Sequence, residues 1–562
     1  MGEWWGFEAQ APTVAKTFGV AVCVVAAGVT DGSLNRLARQ KIAIKTNMAA
    51  VQTDSHFDQF QTTAVSSDAE VALPRTDCAL EPAHGHRLKE EATMSAEREM
   101  MAYEQEDLKR DLKNRHIQMI AIGGAIGTGL FYGSSWAIKT AGPAIILVYL
   151  LAALAIYFVM RALGEMAVEE PVSGSYISYS NRYIHRFAGF LNGWNAFIFL
   201  LATSAADLNA LGHYVHYWFP HIPIWVTAGA AVSVMFLVNI VGVKVYGEAE
   251  FWFSLVKVAA IVAMIAFGVA MIVFGWGNNG QPIGYRNLVD HGGFFAKGVG
   301  GTLLAIVMVA FSFGGVENLG LAAGEARDVK TTMPKAVNAT FWRLLIFYVG
   351  AVAVLLMIFP WTSLTTKGSP FVEVFTKIGI PAAASIMNLV VMMAVLSAVN
   401  ASVFTNSRTF YNLALQKNAP AFLGVVNARK VPAHAIMMVF AAMFVGVILN
   451  YVMPERAFEL CSSVTVFALV CAWGSIVISH LNFRKIRIRS GQESSIAYKM
   501  PFYPYSNYIA LAFIAAVLVC IAILPDMRMS LVVSAVWVAV VYVAYRFYTR
   551  SELPVAHPVT ES

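Results

Sequence analysis

Residues 122–131 read Ile-Gly-Gly-Ala-Ile-Gly-Thr-Gly-Leu-Phe, and this stretch decides the fold. It places four glycines within seven residues of the apolar run 116–137. Glycine inside a helix costs about 1 kcal/mol relative to alanine, and in lipid the backbone groups freed by a break must find partners. The cluster therefore indicates either a broken membrane helix that binds a ligand or close helix packing, since Gly123 and Gly127 have the small-xxx-small spacing. On the glycines alone, both readings are equally supported.

A second stretch of this kind is Phe311-Ser-Phe-Gly-Gly-Val-Glu317, in the middle of the apolar run 299–323. Interrupted helices at matching positions in two halves of a chain mark the binding site of a transporter built from inverted repeats. Open N–H groups and a positive helix end suit a carboxylate, and open carbonyls suit an ammonium group. An α-amino acid carries both groups. The two halves share no visible sequence similarity, so position alone carries the inference of a repeat.

The composition requires a membrane. Of 562 residues, 58% are hydrophobic and 13% are charged, with a mean hydropathy of +0.60, whereas ordinary globular domains carry about 25% charged residues. Runs long enough to cross a bilayer predict twelve transmembrane helices and an all-α polytopic membrane protein. They are 116–137, 143–165, 189–214, 224–242, 250–275, 299–323, 340–360, 380–405, 433–452, 457–480, 506–524 and 529–547.

The charges predict the orientation. Lysine and arginine are more than twice as frequent in the short loops on one side of the predicted spans as on the other. The positive-inside rule makes that side cytoplasmic. With an even number of spans, both termini are expected in the cytoplasm.

Residues 1–105 differ from the rest because they are polar and lack a regular pattern, apart from 14–29. That apolar stretch lacks a basic n-region and makes a poor signal peptide; it could be a thirteenth span. We expect 1–105 to be a poorly structured cytoplasmic extension, with Met94, Met100 or Met101 as alternative starts. The transmembrane domain is expected at 106–550, followed by a short cytoplasmic tail at 551–562.

The sequence has no Walker A motif, no HExxH and no CxxC or zinc spacing. We therefore expect neither an enzyme nor ATP-driven transport, and no cofactor or metal. The expected partners are an amino acid, protons and the lipid bilayer, without nucleic acid, and the oligomeric state stays open.

Lys257 lies in the otherwise apolar run 251–275. A membrane-embedded lysine is a functional candidate by default, and Lys257 is predicted to carry the coupling proton. The alternative is snorkelling, because Lys257 is only about two turns from the cytoplasmic end of its helix.

Four other polar residues inside predicted spans are candidate site residues. Asp207 and Glu317 could contact the substrate amine or accept a proton, or could be hydrogen-bonded structural acids; a structural or gating role is slightly favoured for Glu317. Ser397 and Asn400 could line a cation-sized pocket beside Lys257, although interhelical hydrogen bonds are the commoner role of such residues.

Arg161, Glu165 and Arg408 lie at the cytoplasmic ends of predicted spans. They could form an inner gate that breaks when the site opens inward. The commoner explanation is that such residues only mark the orientation of the chain.

Several motifs resemble the amino acid transporter family of the amino acid–polyamine–organocation superfamily, in order and with family-like spacing over roughly 105–550. Within that family the chain is most similar to bacterial proline-specific and histidine permeases, which implies a location in a bacterial cytoplasmic (inner) membrane. The motifs are 124–131, 161–168, 171–176, 247–257, 311–317, 324–328 and 406–408.

The resemblance implies a LeuT-like 5+5 inverted repeat with helices 1 and 6 broken. It implies that Thr128 and Gly129 bind the substrate carboxylate, with Gly127 at the same turn. It places four residues at the amine and side-chain end, with the first as an aromatic lid: Phe311, Ser312, Phe313 and Gly314. Lys257 matches the lysine that fills the sodium position of sodium-coupled relatives, which favours protons.

The leading hypothesis is a proton-coupled amino acid symporter whose substrate is proline or histidine. The alternatives are an amino acid exchanger of the same fold and a permease for aromatic amino acids or γ-aminobutyrate. A membrane sensor of amino acids is the least supported alternative, because only the segment 1–105 is available for signalling.

Overall fold

The computed structural model describes residues 126–172, 174–320, 329–365, 368–377, 381–427 and 430–550. The extension 1–105, the tail 551–562, Gly123 and the motif 324–328 lie outside these residues. Within them the chain is helical and contains no strand.

The α-helices are numbered here in chain order. The first eight are α1 Ser134–Ala141, α2 Ile145–Glu169, α3 Tyr176–Tyr183, α4 Arg186–His216, α5 Ile224–Val241, α6 Val243–Phe274, α7 Gly298–Leu304 and α8 Ile306–Ser312. The others are α9 Val329–Leu344, α10 Ala351–Ile358, α11 Pro370–Lys377, α12 Pro381–Leu415, α13 Ala433–Val452, α14 Ala457–Arg489, α15 Tyr505–Ile523 and α16 Arg528–Arg550. Two π-helical segments, Gly129–Gly133 and Leu345–Gly350, lead into α1 and α10.

Ten helices in the described ranges are long and apolar enough to cross a membrane. One of them, Gly129–Glu169, has 41 residues. At about 1.5 Å per residue it is about 60 Å long, twice the ~30 Å hydrocarbon core. It bends at Gly142, where φ is +66° and α1 gives way to a 3₁₀ turn before α2. This length favours two crossings, which correspond to the first two predicted spans.

The sixth predicted span is the short helical pair α7 and α8, together Gly298–Ser312. Each of the remaining predicted spans coincides with one long helix. The all-helical membrane fold is confirmed, whereas the count of twelve spans and the inverted repeat stay predictions.

Helix α4 is central, since it packs against α12, α13 and α14. Close approach depends on small residues, as where a Cβ built on Gly446 would lie 3.1 Å from Ala205 Cα. Across the same contact, Asn209 Nδ2 donates to Asn450 Oδ1 over 2.7 Å. Small residues and polar side chains of this kind hold helices together in lipid, where hydrophobic association is absent.

Candidate functional site

The two sequence breaks meet in space. Ile126 and Gly127 are not helical, and the first π-helical segment begins at Gly129. The other break is the end of α8 at Ser312, followed by turns over 313–317 with φ +96° at Gly315. The two ends are so close that a Cβ built on Gly129 would lie 2.4 Å from Ser312 Cα.

A helix start is thus placed against a helix end. The first N–H groups of a helix and its last carbonyls lack intrahelical partners, and they carry the positive and negative ends of the helix dipoles. Gly129 is at the positive end of one helix, and Ser312 is at the negative end of the other. Such a junction can hold a carboxylate and an ammonium group of one small zwitterion.

Two tyrosines fix the end of α8. Tyr348 Oη donates to the Ser312 carbonyl over 2.7 Å, and Tyr149 Oη lies 3.4 Å from Ser312 Oγ. Both phenols are fully or almost fully buried. Their rings form an aromatic cluster with Phe313, at centroid distances of 4.9 Å from Tyr348 and 5.9 Å from Tyr149.

A second aromatic group lies between the junction and the end of α4 at His216. Phe311 contacts Phe458 edge-to-face at 5.8 Å, and Phe458 contacts Tyr132 at 4.5 Å. Tyr132 also stacks on His213 and meets Tyr214 edge-on. These rings connect the junction to the last turns of α4.

The structure brings Asp207 to the first break. Its carboxyl group, on α4, lies near the Thr128 hydroxyl, which makes no hydrogen bond with the described residues, and each residue is 2% exposed. Gly127 accepts from Leu130 N through its carbonyl over 3.2 Å, which starts the first helical turn. Asp207 therefore neighbours the junction, whether it binds substrate or positions Thr128.

Glu317 is held by the second break itself. One carboxylate oxygen accepts from Gly315 N over 3.2 Å, and the other accepts from Trp473 Nε1 over 3.2 Å. The turn that contains Gly314 and Gly315 is thereby attached to α14. This arrangement favours a structural role for Glu317 over contact with the substrate.

Lys257 is 1% exposed and does not snorkel, because its Nζ donates to Ser397 Oγ over 2.8 Å. Ser397 Oγ donates in turn to Glu250 Oε1 over 2.5 Å. Asn400 Nδ2 donates to Glu250 Oε2 over 3.3 Å, and Asn400 Oδ1 accepts from Asn239 Nδ2 over 2.9 Å. The polar groups of α5, α6 and α12 thus form one buried network.

Glu165 is paired with α14. Arg484 Nε lies 2.5 Å from Glu165 Oε1, and His480 Nε2 lies 3.1 Å from Glu165 Oε2. The backbone N–H of Met500 donates to Glu165 Oε2 over 2.6 Å. The carboxylate therefore joins α2 to α14 and to the segment that follows it.

Arg161 and Arg408 contact different aromatic residues. The Arg161 guanidinium stacks 3.7 Å from the centre of the Tyr498 ring and donates to the Lys499 carbonyl. Burial raises the pKa of the Tyr498 phenol, with Arg161 acting in the opposite direction, so the ring stays neutral at physiological pH. The Arg408 guanidinium lies 3.2 Å from the centre of the Phe404 ring.

Sequence reasoning missed several members of these clusters. Glu250 had a usable signal, because it precedes Lys257 by seven residues and so lies on the same helix face. Tyr149, Tyr348 and Arg484 had none, since they join the clusters from distant parts of the chain. Among the described residues, no group of three metal-binding side chains is present.

A protein-family model described as amino acid permease matches residues 116–558. The chain is 42% identical to the uncharacterized amino acid permease YtnA of Bacillus subtilis (strain 168) over 445 residues, which cover 79% of this chain and 96% of that protein.

Two further relatives have named substrates. The chain is 44% identical over 452 residues to the aromatic amino acid transport protein AroP of Escherichia coli (strain K12), covering 79% of this chain and 97% of AroP. It is 40% identical over 439 residues to the probable threonine/serine transporter YbxG of Bacillus subtilis (strain 168), covering 78% of this chain and 95% of YbxG.

Proposed function

The chain belongs to the amino acid permease family, and on that premise we propose that it imports a neutral amino acid across the bacterial cytoplasmic membrane by symport with protons. The observation that carries the proposal is the contact between the helix start at Gly129 and the helix end at Ser312. That contact supports binding of the carboxylate at Thr128 and Gly129, and of the amine at the carbonyl end of α8.

Proton coupling is supported by Lys257. A lysine buried at 1% exposure needs a partner or a function, and this one is hydrogen-bonded into a network that includes a carboxylate. A group that gains and loses a proton as the site changes sides would couple uptake to the proton gradient.

A neutral side chain with aromatic character is the first substrate candidate. Phe313, Tyr149 and Tyr348 cluster beside Ser312, and aromatic rings pack favourably on other rings. AroP, a relative at 44% identity, is named for aromatic amino acids. Proline and histidine, the substrates expected from the sequence, and γ-aminobutyrate belong in the same competition assay.

Alternating access needs a gate on each side. On the positive-inside orientation, with both termini cytoplasmic, Phe311, Phe458 and Tyr132 lie on the external side. The cluster of Glu165, Arg484 and His480 then lies on the cytoplasmic side, with Arg161 beside it. We assign the aromatic group to the outer gate and the ionic cluster to the inner gate.

The test is uptake into vesicles that carry the purified protein, are acidic outside and contain no amino acid. Labelled phenylalanine should accumulate, and each common amino acid is then added as a competitor. An exchanger would give uptake only after preloading, and a sensor would bind phenylalanine without transport. Uptake that ignores the pH gradient would contradict symport, and inhibition by proline or histidine alone would contradict the aromatic assignment.

A further inference from the structure

Glu250 is a second buried ionisable group beside the proposed proton site. Its side chain is 0% exposed, and it lies on α6, seven residues before Lys257. At about 1.5 Å per residue, it is about 10 Å closer to the start of the helix. Nothing in the binding of an amino acid at Gly129 and Ser312 requires a carboxylate at this position.

Ser397 joins the two charged groups. Lys257 Nζ donates to Ser397 Oγ over 2.8 Å, and Ser397 Oγ donates to Glu250 Oε1 over 2.5 Å. A hydroxyl is both a donor and an acceptor, so Ser397 can take one proton while it gives up another. Ser254 and Asn400 also approach the carboxylate, at 3.2 Å and 3.3 Å, and stabilise its ionised form.

The charge balance of a transfer along this path is favourable. The Lys257 ammonium gives a proton to Ser397 Oγ as the Ser397 proton moves to Glu250 Oε1. One N–H bond and one O–H bond break, and two O–H bonds form, on Ser397 and Glu250. The products are a neutral amine, an unchanged hydroxyl and a carboxylic acid. The net charge of Lys257 and Glu250 together is zero both before and after the transfer. Neither state therefore places an uncompensated net charge in the low-dielectric interior.

The path from Lys257 to Glu250 runs toward the start of α6. One turn closer to the start of α6 than Glu250, the Tyr246 ring stacks on the Phe404 ring with centroids 3.9 Å apart. The Arg408 guanidinium lies 3.2 Å from the centre of the Phe404 ring, and these three side chains form one layer. Tyr246 is 2% exposed. In the present conformation, this layer lies between Glu250 and the start of α6 at Val243.

We propose that Glu250 is a proton-relay residue that receives the coupling proton from Lys257 through Ser397 and releases it to the cytoplasm when the layer of Tyr246, Phe404 and Arg408 opens. The inference rests on the proposed function, because it requires proton symport. It assigns Arg408 to a proton exit, separate from the ionic cluster at Glu165.

The test separates proton movement from substrate movement. In vesicles, counterflow of labelled phenylalanine against preloaded phenylalanine needs no net proton transfer, whereas accumulation driven by an acidic exterior does. Glu250→Gln should retain counterflow within about twofold and lose at least about tenfold of proton-driven accumulation, because a proton-transfer group is removed. A pH dye inside the vesicles should report loss of substrate-coupled acidification. Glu248→Gln, the same change two residues away at a half-buried position, should match the wild type.

Two variants of Ser397 test the relay independently, in case Glu250→Gln does not fold. Ser397→Ala removes the bridge without changing a charge and should show the same split, and Ser397→Thr, which keeps the hydroxyl, should restore coupling. Wild-type coupling in either Glu250→Gln or Ser397→Ala would overturn the relay. If Glu250→Gln and Ser397→Ala both lost counterflow as well as proton coupling, the relay would also be overturned, because that result would show that Glu250 and Ser397 have a structural role. A wild-type protein that shows counterflow but no proton movement would overturn the proposed symport itself, and the relay with it.

Discussion

Arg484 and Glu165 form an ion pair from which water is nearly excluded, with Arg484 Nε 2.5 Å from Glu165 Oε1 and side chains 3% and 0% exposed. Arg484 comes from α14 and Glu165 from α2, 319 residues apart in the chain. A buried charge that loses its partner keeps the full cost of its desolvation, so the pair is much more sensitive to a single change than a surface pair.

Replacing Arg484 should destabilise the protein. Arg484→Met leaves the Glu165 carboxylate with His480 and Met500 N as its remaining neighbours in this cluster. We expect a loss of about 3–5 kcal/mol, typical of breaking a buried pair on one side. Thermal unfolding in detergent would measure it, with Arg489→Met as the control because Arg489 is exposed at the end of the same helix. The double variant Glu165→Gln/Arg484→Met should be more stable than Arg484→Met alone; equal melting of Arg484→Met and wild type would contradict the argument.

The helices and the turns after α8 were predictable from the sequence, because they depend on local properties. Apolar runs locate helices in lipid, and Gly315 marks the turns at which helical backbone ends after α8. The prediction could not show that the breaks touch, since the contact between Gly129 and Ser312 is a tertiary fact. The expected inner gate shows the same limit, because the partners of Glu165 come from α14, far along the chain.

Periodicity could have revealed one residue that the sequence analysis left out. Glu250 and Lys257 are seven residues apart, which places them on one face of α6. Ser397 was predicted near Lys257, and the structure shows the hydrogen bond. That Ser397 lies between two charges could not be inferred, because the registration of α12 against α6 is set by packing.

Lys257→Ala should abolish proton-driven accumulation and spare part of substrate binding. The ammonium is lost from a network that does not include the residues of the helix junction. Uptake against an acidic exterior and equilibrium binding of labelled phenylalanine would measure the two effects. Lys244→Ala, at an exposed position near the start of the same helix, is the control. Unchanged pH-dependent uptake in Lys257→Ala would remove the proposed proton role.

A side chain at Gly129 should block the binding site. A Cβ there would lie 2.4 Å from Ser312 Cα, a distance that requires backbone movement. Gly129→Ala should therefore reduce phenylalanine affinity, and Gly129→Val should abolish it. Gly133→Ala, on the same π-helical segment, is the control. Its new methyl group would lie 3.7 Å from its nearest neighbour, Phe311, which is an ordinary van der Waals contact. Binding assays on all three would test the pose, and normal affinity in Gly129→Val would count against it.

The bond between Trp473 and Glu317 should matter for the shape of the second break. Trp473 Nε1 donates to Glu317 Oε2 over 3.2 Å and attaches the turn at Gly315 to α14. Trp473→Phe removes one donor to a buried carboxylate, which should cost about 1–3 kcal/mol of stability. It should also raise KM for phenylalanine more than it lowers kcat, because a loosened turn weakens binding before it affects the proton step. Trp342→Phe makes the same change on α9 at a position that is 61% exposed and has no buried carboxylate. It should leave the stability and the KM for phenylalanine unchanged. A Trp473→Phe protein with wild-type KM and melting temperature would show that Gly315 N alone is sufficient to hold Glu317.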